Sequence, residues 1–354
     1  MPLSWLRVEQ FRCLEAVEIE LDPHFNLFVG QNASGKTSLL EALFFLGRGR
    51  SFRSRKLDAI IRQGQKAFTV VGRVRTADGE TVLGIRGQRD ATEIRVGGRS
   101  AASAGELAAH FPPQVIDPEI HKLLEEGPGR RRRFLDWGVF HVEPGFLLAW
   151  QRYHKALRQR NAALKQGLAV GYVTAWDPEL VESGELLAQQ RQDYLAALAG
   201  PLAEMGQALL AAEVHLAYHR GWPEGHSLAE ALQSSLERDQ RYRATQSGPH
   251  RADIAVKVAG HAAKERVSRG QQKLLAAGLT LAQIRLQEEA SPGRSALLLD
   301  DPAAELDSEN LERLLAVVRT LPVQLIVTSL RKDIAGLPDS GRRFHVEHGT
   351  VRPA

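Results

Sequence analysis

The segment Gly30-Gln31-Asn32-Ala33-Ser34-Gly35-Lys36-Thr37 lies between an apolar run, Phe25 to Val29, and a helix-like run, Ser38 to Leu46. A glycine-bearing loop between a strand and a helix is the context that separates a phosphate-binding loop from a chance string of small residues. Gly30 and Gly35 carry no Cβ, so the backbone can curl and present its N–H groups to phosphate oxygens. The helix that follows aims the positive end of its dipole at the same anion. Gln31, Asn32, Ala33 and Ser34 are expected to complete the cradle. Lys36 is expected to reach the β- and γ-phosphates, and Thr37 to ligate Mg²⁺. This Walker A loop predicts binding of a nucleoside triphosphate with Mg²⁺.

Such a loop needs an acidic strand end beside it. Leu297-Leu298-Leu299-Asp300-Asp301 has that form, an apolar run closed by carboxylates. Asp300 is expected to hold Mg²⁺, usually through a water, because Mg²⁺ dehydrates reluctantly. Asp301 would stand beside the γ-phosphate and position or deprotonate the attacking water. An acid-capped strand at a turn, which Asp301-Pro302 favours, has the same local appearance. Ser268-Arg269-Gly270-Gln271-Gln272-Lys273 precedes a helical run and offers a hydroxyl, a glycine and free N–H groups at a helix start. On its own it reads more readily as an N-capped helix with Ser268 as the cap.

Strand and helix textures alternate along the chain. Residues 1–30 read as strands, with Leu6 to Phe11 and Ala16 to Leu21 alternating apolar and polar, as do Val70 to Val74, Val82 to Gln88 and Thr92 to Val96, with turn signals at Asp78-Gly79 and Gly97-Gly98. Pro112-Pro113 and Gly127-Pro128-Gly129 break the pattern. Between about Gly145 and Arg243 apolar residues recur at helical spacing, without sustained heptads. Asp177-Pro178-Glu179 predicts a helix start, and Gly200-Pro201 a break or kink. Strand texture returns at Ile254 to Val258, and Ser295 to Asp300 and Gln324 to Thr328 read as buried strands. The expected organisation is an α/β P-loop head made of residues 1–110 and 245–354, with 111–244 an inserted, mainly helical arm.

Composition adds bounds. The 354 residues carry a formal charge of +4, and no apolar stretch approaches a membrane span. One cysteine, Cys13, excludes an intrachain disulfide and a zinc-finger spacing. With no secretory pattern at the N-terminus, this points to a reducing, cytoplasmic setting.

The ordered set of motifs resembles the RecF family, bacterial recombination and repair ATPases of the SMC-like branch of ABC-type ATPases. The resemblance runs through Phe11-Arg12, Leu39 to Arg53, Arg131 to Asp136, Ser247 to Arg251, Ser268 to Gln272, Leu298 to Asp301 and Glu305-Leu306-Asp307. It implies an ABC-type head with a β-rich lobe and a helical arm. It also implies that Ser268, Gly270 and Gln271 form the signature motif, which binds the γ-phosphate held by a second subunit, and that Asp307 occupies the D-loop. Arg12 can touch the nucleotide in such a site, or be a surface arginine. The family implies an ATP-driven homodimer with slow, DNA-dependent ATP hydrolysis. Its DNA is single-stranded, gapped or junction DNA. Its partners are RecR and RecO, and its setting is recombinational repair, replication-fork maintenance and the SOS response.

Departures are visible. Ala33 stands where the family usually has a second loop glycine, which a negative φ would tolerate. Ala252 interrupts a common His-Arg-Asp-Asp run. Gln114 and Asp117 are the candidates for a Q-loop. Thr328 takes the place of the switch histidine of transporter ATPases, which argues against a transporter subunit.

Arg48, Arg50, Arg53, Arg55 and Lys56 flank Phe52 after the Walker A helix, and Arg130 and Arg131 open a second run. Either run would bind a phosphate backbone by counterion release. The alternatives are a solvated loop for the first and pairing with Glu125 and Glu126 for the second. Trp137, Trp150 and Trp176 read as packing residues more than stacking platforms. A different class of reading also fits the sequence: an ATP-binding scaffold that recruits repair partners with little hydrolysis.

Overall fold

The computed structural model describes residues 2–54, 56–76 and 79–354, so Arg55 and the turn residue Asp78 lie outside the described residues. The chain divides into two compact units, Met1–Ile120 with Ser291–Ala354, and His121–Ala290.

The first unit holds two six-stranded sheets. One runs in the order Thr350–Pro353, Arg342–Glu347, Phe25–Val29, Gln324–Ser329, Ala296–Asp300, Pro113–Ile116. Its four central pairings are parallel, and only the C-terminal hairpin is antiparallel. Phe25–Val29 and Ala296–Asp300 are buried at every position. That is why they read as mainly apolar runs without alternation, broken only by the buried Asn26 and closed by Asp300: a parallel strand covered on both faces needs no polar face. The other sheet is antiparallel, in the order Leu14–Glu20, Leu3–Phe11, Ala67–Thr76, Gly79–Gln88, Thr92–Val96, Arg99–Ser100. Its strands alternate because one face is wet.

The Walker A helix, Lys36–Arg48, is buried on nearly every side. It shares one core with Leu6, Val8, Phe11 and Phe68 of the antiparallel sheet and Phe28, Leu298 and Ile326 of the parallel one. A helix apolar all round is stable only when covered all round, which fixes the phosphate loop rigidly to both sheets.

The second unit contains the long helices Phe146–Gln166 and Asp177–Leu210, the helix Leu228–Tyr242, the signature helix Arg269–Ala290 and a three-stranded sheet around Asp253–Val258. The helix predicted to start at Asp177 does so, with Pro178 in its first turn. Pro201 does not break it: the helix continues to Leu210.

The domain boundaries differ from those expected. Pro113–Ile116, assigned to the arm, pairs in parallel with Ala296–Asp300 as the edge strand of the nucleotide-site sheet. Proline at the first position of an edge strand forfeits no ladder hydrogen bond, so Pro112-Pro113 punctuates without ending the β structure. Conversely, residues 245–290, expected in the head, cluster with the helical unit. Asp253–Val258 pairs with Val214–His219, a strand inside the segment that reads as helical.

Candidate nucleotide site

Strand register assembles the site. Phe25–Val29 pairs with Gln324–Ser329, which pairs in turn with Ala296–Asp300, so their C-terminal ends lie side by side. Loops at the carboxyl ends of parallel strands form the ligand crevice of open α/β sheets. Here the Walker A loop leaves one such end, and Asp300 and Asp301 occupy another.

The decisive contact joins the two halves. Thr37 Oγ1 donates to Asp300 Oδ1 at 3.0 Å, across 263 residues of sequence. Thr328 Oγ1 donates to the same oxygen at 2.8 Å. Asp300 is nine-tenths or more buried. Burial pushes its pKa up, and the hydroxyls of Thr328 and Thr37 and the charges of Arg53 and Lys36 pull it back. Two hydroxyl donors on one oxygen leave the other to a metal ion.

Asp301 follows in a left-handed conformation, φ +45°, and caps the short helix Pro302–Glu305. Aspartate is among the few residues for which this region is cheap. Its N–H is shared between the Thr328 carbonyl at 3.2 Å and Thr328 Oγ1 at 3.1 Å. Burial raises the Asp301 pKa, opposed by Lys36 and reinforced by Asp300. The Lys36 ammonium donates to the carbonyls of Gly30 at 2.7 Å and Gln31 at 2.9 Å. Burial lowers its pKa, while Asp301 and Asp300 act the other way.

The loop is held from outside by the C-terminal hairpin. The Gly349 N–H donates to the Ser34 carbonyl at 2.8 Å. A Cβ on Gly30 would sit 2.2 Å from the Val346 carbonyl oxygen, so only glycine fits there. Gly35 has φ +115° at the helix N-cap, which again requires glycine. Ala33 also adopts a positive φ, +63°. The negative φ that would tolerate a side chain here is not adopted, and the methyl group carries a strain of about 1–2 kcal/mol. Gln31 and Asn32 are exposed on the loop surface. Ser34 Oγ is buried without a hydrogen-bond partner.

A donor set of loop amides, an ammonium, a threonine hydroxyl and a buried carboxylate, with a small-residue cradle, suits a triphosphate and a hard divalent cation. A match to the family model "RecF/RecN/SMC N terminal domain" spans residues 2–349. The DNA replication and repair protein RecF of Vibrio vulnificus (strain CMCP6) is 40% identical, over 99% of this chain and 99% of that protein. The protein of the same name from Pseudomonas aeruginosa (strain UCBPP-PA14) is 42% identical over 99% and 97%. The chain belongs to the RecF family of SMC-like ATPases. A solved structure of the recombination mediator protein RecF with ATP, from the RecFOR pathway, superposes with a TM-score of 0.90 at 28% identity, covering 100% of this chain and 97% of that one. The ABC-type head and inserted helices of the RecF fold are thus established.

Within that RecF fold the remaining sequence candidates separate. Ser268 caps the signature helix. Its Oγ accepts from the Gln271 N–H at 3.3 Å, and Gln271 Oε1 accepts from the Ser268 N–H at 2.9 Å, a reciprocal capping box. The Ser268 hydroxyl proton stays available to an anion, and Gly270 lies in the same first turn. Asp307 caps Ser308–Val318 by accepting from the Asn310 N–H at 2.8 Å. Gln114 lies on the edge strand with its side-chain nitrogen buried and unpartnered.

Arg12, expected near the nucleotide, grips Glu41 of the Walker A helix through Nε at 2.9 Å and Nη2 at 2.7 Å. Glu41 is fully buried and also receives the Ser51 hydroxyl and Arg53 Nη1, the latter at 3.5 Å. This hub ties the basic loop to the Walker A helix.

The basic runs divide likewise. Arg48 donates to the Pro113 carbonyl at 3.1 Å and lies over the Phe44 ring, and burial holds its pKa well below the usual arginine value. Arg131 pairs with Asp253 at 2.7 and 2.9 Å and also donates to the Leu124 and Glu126 carbonyls. Arg48 and Arg131, both expected to contact DNA, are held by contacts within the fold. Arg130 pairs with Glu126 at 3.1 Å, the acidic neighbour named as its alternative partner. Arg50 and Lys56 are exposed. Trp150 donates to Asp136 at 3.3 Å, in keeping with a packing role.

Thr328 and Glu41 make contacts at the site that sequence reading misses. In sequence Thr328 shows only as a replaced histidine. A glutamate within the apolar stretch Leu39 to Leu46 is the available signal for Glu41.

Proposed function

We propose that this chain is an ATP-dependent DNA-binding protein of RecF type, in which nucleotide binding drives head-to-head dimerisation and slow hydrolysis reverses it. The observation that carries the reading is the Thr37–Asp300 bond at 3.0 Å, which unites the two distant halves of a Mg-ATP site. Bound Mg-ATP supplies a γ-phosphoryl group open to attack by water. The chain's own residues then have defined tasks. The loop amides and Lys36 hold the phosphates, and Thr37 and Asp300 hold Mg²⁺ between them. Asp301 orients the attacking water, and the burial that raises its proton affinity suits a general base at neutral pH.

Ser268, with Gly270 and Gln271, completes the site of a second copy. The capping box supports this, because it fixes the helix tip and leaves the serine proton free to donate. Asp307, at the cap of its own helix, contributes to the nucleotide site as the D-loop residue. Arg50, Arg53 and Lys56, with Arg55, contact DNA phosphates, and Arg53 links that surface to the nucleotide through Glu41. Action in recombinational repair, with RecR and RecO as partners, follows from family membership.

Asp301→Asn tests the reading. The variant should bind ATP and dimerise but lose turnover, so that the dimer persists on DNA. Turnover at the unmodified rate would show that Asp301 does not orient the attacking water.

A further inference from the structure

The helical unit carries a second basic surface, away in sequence from every nucleotide-site residue. Phe146–Gln166 and Asp177–Leu210 run antiparallel: Arg160 pairs with Asp177 and Arg152 with Glu182, so numbers fall on one helix as they rise on the other. Near the end where the two helices connect, Arg160 is fully buried and donates to Asp177 at 2.7 Å, Asp239 at 2.7 Å and Thr245 at 2.9 Å. Leu236 of Leu228–Tyr242 packs on Ala163, Leu164 and Val173 of the same end. These contacts bring the last turn of the third helix beside the connection.

What this gathers outside is basic and aromatic. Arg158, Lys165, Arg238, Arg241 and Arg243 are all exposed, and no carboxylate pairs with any of them among the described residues. The acids of the neighbourhood are Asp177 and Asp239, both held by Arg160, and the exposed Glu237. Tyr242, between Arg241 and Arg243, is 64% exposed, and Tyr172 in the connection is 68% exposed. Arg158 and Lys165 are seven positions apart on one helix, roughly 10 Å, the length of about three base steps of a duplex strand.

Backbone conformation fixes where Arg243 sits. Arg243 is the C-cap of Leu228–Tyr242 at φ +53°. Glycine is the favoured residue there, and an L-residue costs about 1–2 kcal/mol more. A cation near a helix C-terminus recovers about 0.3–1 kcal/mol, but Arg241 already supplies one in the last turn without that strain. The αL cap therefore sets one more exposed cation beside Tyr242 at the end of the helix.

We propose that the connecting end of this helical hairpin is a further DNA contact, where Lys165, Arg241 and Arg243 grip the phosphate backbone and Tyr242 stacks on a base or sugar. It rests on the DNA-binding reading above and adds a surface to it. Cations interleaved with exposed tyrosines fit sequence-independent nucleic-acid binding.

The test uses the full chain with Mg-ATP and fluorescent duplex or single-stranded DNA, titrated at several salt concentrations. The variant is Arg241→Gln with Arg243→Gly, the second change relieving strain. The slope of log K against log salt should fall by about 1.8 on duplex for two lost phosphate contacts. Affinity near 0.1 M salt should fall about tenfold or more, while thermal stability and ATP binding hold or improve. Unchanged slope and affinity would overturn the proposal and leave the broader reading intact. Loss of an acidic protein partner with DNA binding untouched would also overturn it. If the unmodified protein binds no DNA with ATP, both readings fall together.

Discussion

Replacing Thr328 by valine removes one hydroxyl from the centre of the site with little change of shape. That hydroxyl donates to Asp300 Oδ1 at 2.8 Å and is fully buried. It also accepts part of the Asp301 N–H, which keeps the Thr328 carbonyl at 3.2 Å. The loss therefore falls on Asp300. A hydrogen bond to a buried charged group contributes about 1.5–3 kcal/mol, so Thr328→Val should destabilise the fold by about that amount at pH 7. Burial already raises the folded pKa of Asp300, and losing a donor to the carboxylate raises it further. A carboxylate with a raised folded pKa destabilises the fold above that pKa. The penalty disappears as pH falls through it and the group protonates. The deficit of Thr328→Val should accordingly be largest near pH 7 and shrink towards pH 4. Urea unfolding at both pH values, with Thr328→Ser as the control that keeps the hydroxyl, measures this. Equal stability of the valine variant and the unmodified protein at pH 7, or a deficit that grows on acidification, would refute the reasoning. In a double-mutant cycle with Thr37→Val the two changes should couple, since both hydroxyls serve one oxygen.

Ala33→Gly should raise stability by about 1 kcal/mol, as ~1–2 kcal/mol of relieved strain exceeds the ~0.4–1 kcal/mol cost of a freer unfolded chain; a lower urea midpoint would contradict the φ of +63°. Gly30→Ala should abolish ATP binding measured by calorimetry, because its Cβ would lie 2.2 Å from the Val346 carbonyl oxygen and the loop must move. Burial lowers the pKa of both His154 and His250 to about 4. Neutral histidine is favoured in the fold, so this stability is present above pH 6.5 and is lost as pH falls from 6.5 towards 4. The slope is up to about 1.4 kcal/mol per pH unit for each group, visible in melts between pH 7 and 4.5.

The nucleotide site was legible because its parts are local. A buried parallel strand is a run of apolar residues, and the loop and carboxylates follow it directly, as at Phe25–Val29 and Ala296–Asp300. What could not be read is what depends on pairing across the chain. Arg131 finds Asp253 122 residues away, which turns a basic run into an internal tie. Arg12 and Arg53 converge on Glu41 in the same way. Pro113 looks like an ending, because an edge strand hides its identity in the partner it pairs with. Pro201 looks like a break, yet the helix runs on through it. Ala33 shows the opposite limit: a residue's identity does not fix its φ.

Sedimentation velocity of the unmodified protein and of Ser268→Arg, each with and without Mg-ATP, bears most directly on the account. The unmodified protein should pass from monomer to dimer on adding Mg-ATP. Ser268→Arg should bind ATP equally well and stay monomeric. A monomer under both conditions, or a Ser268→Arg protein that dimerises normally, would contradict a nucleotide shared between two copies of the chain.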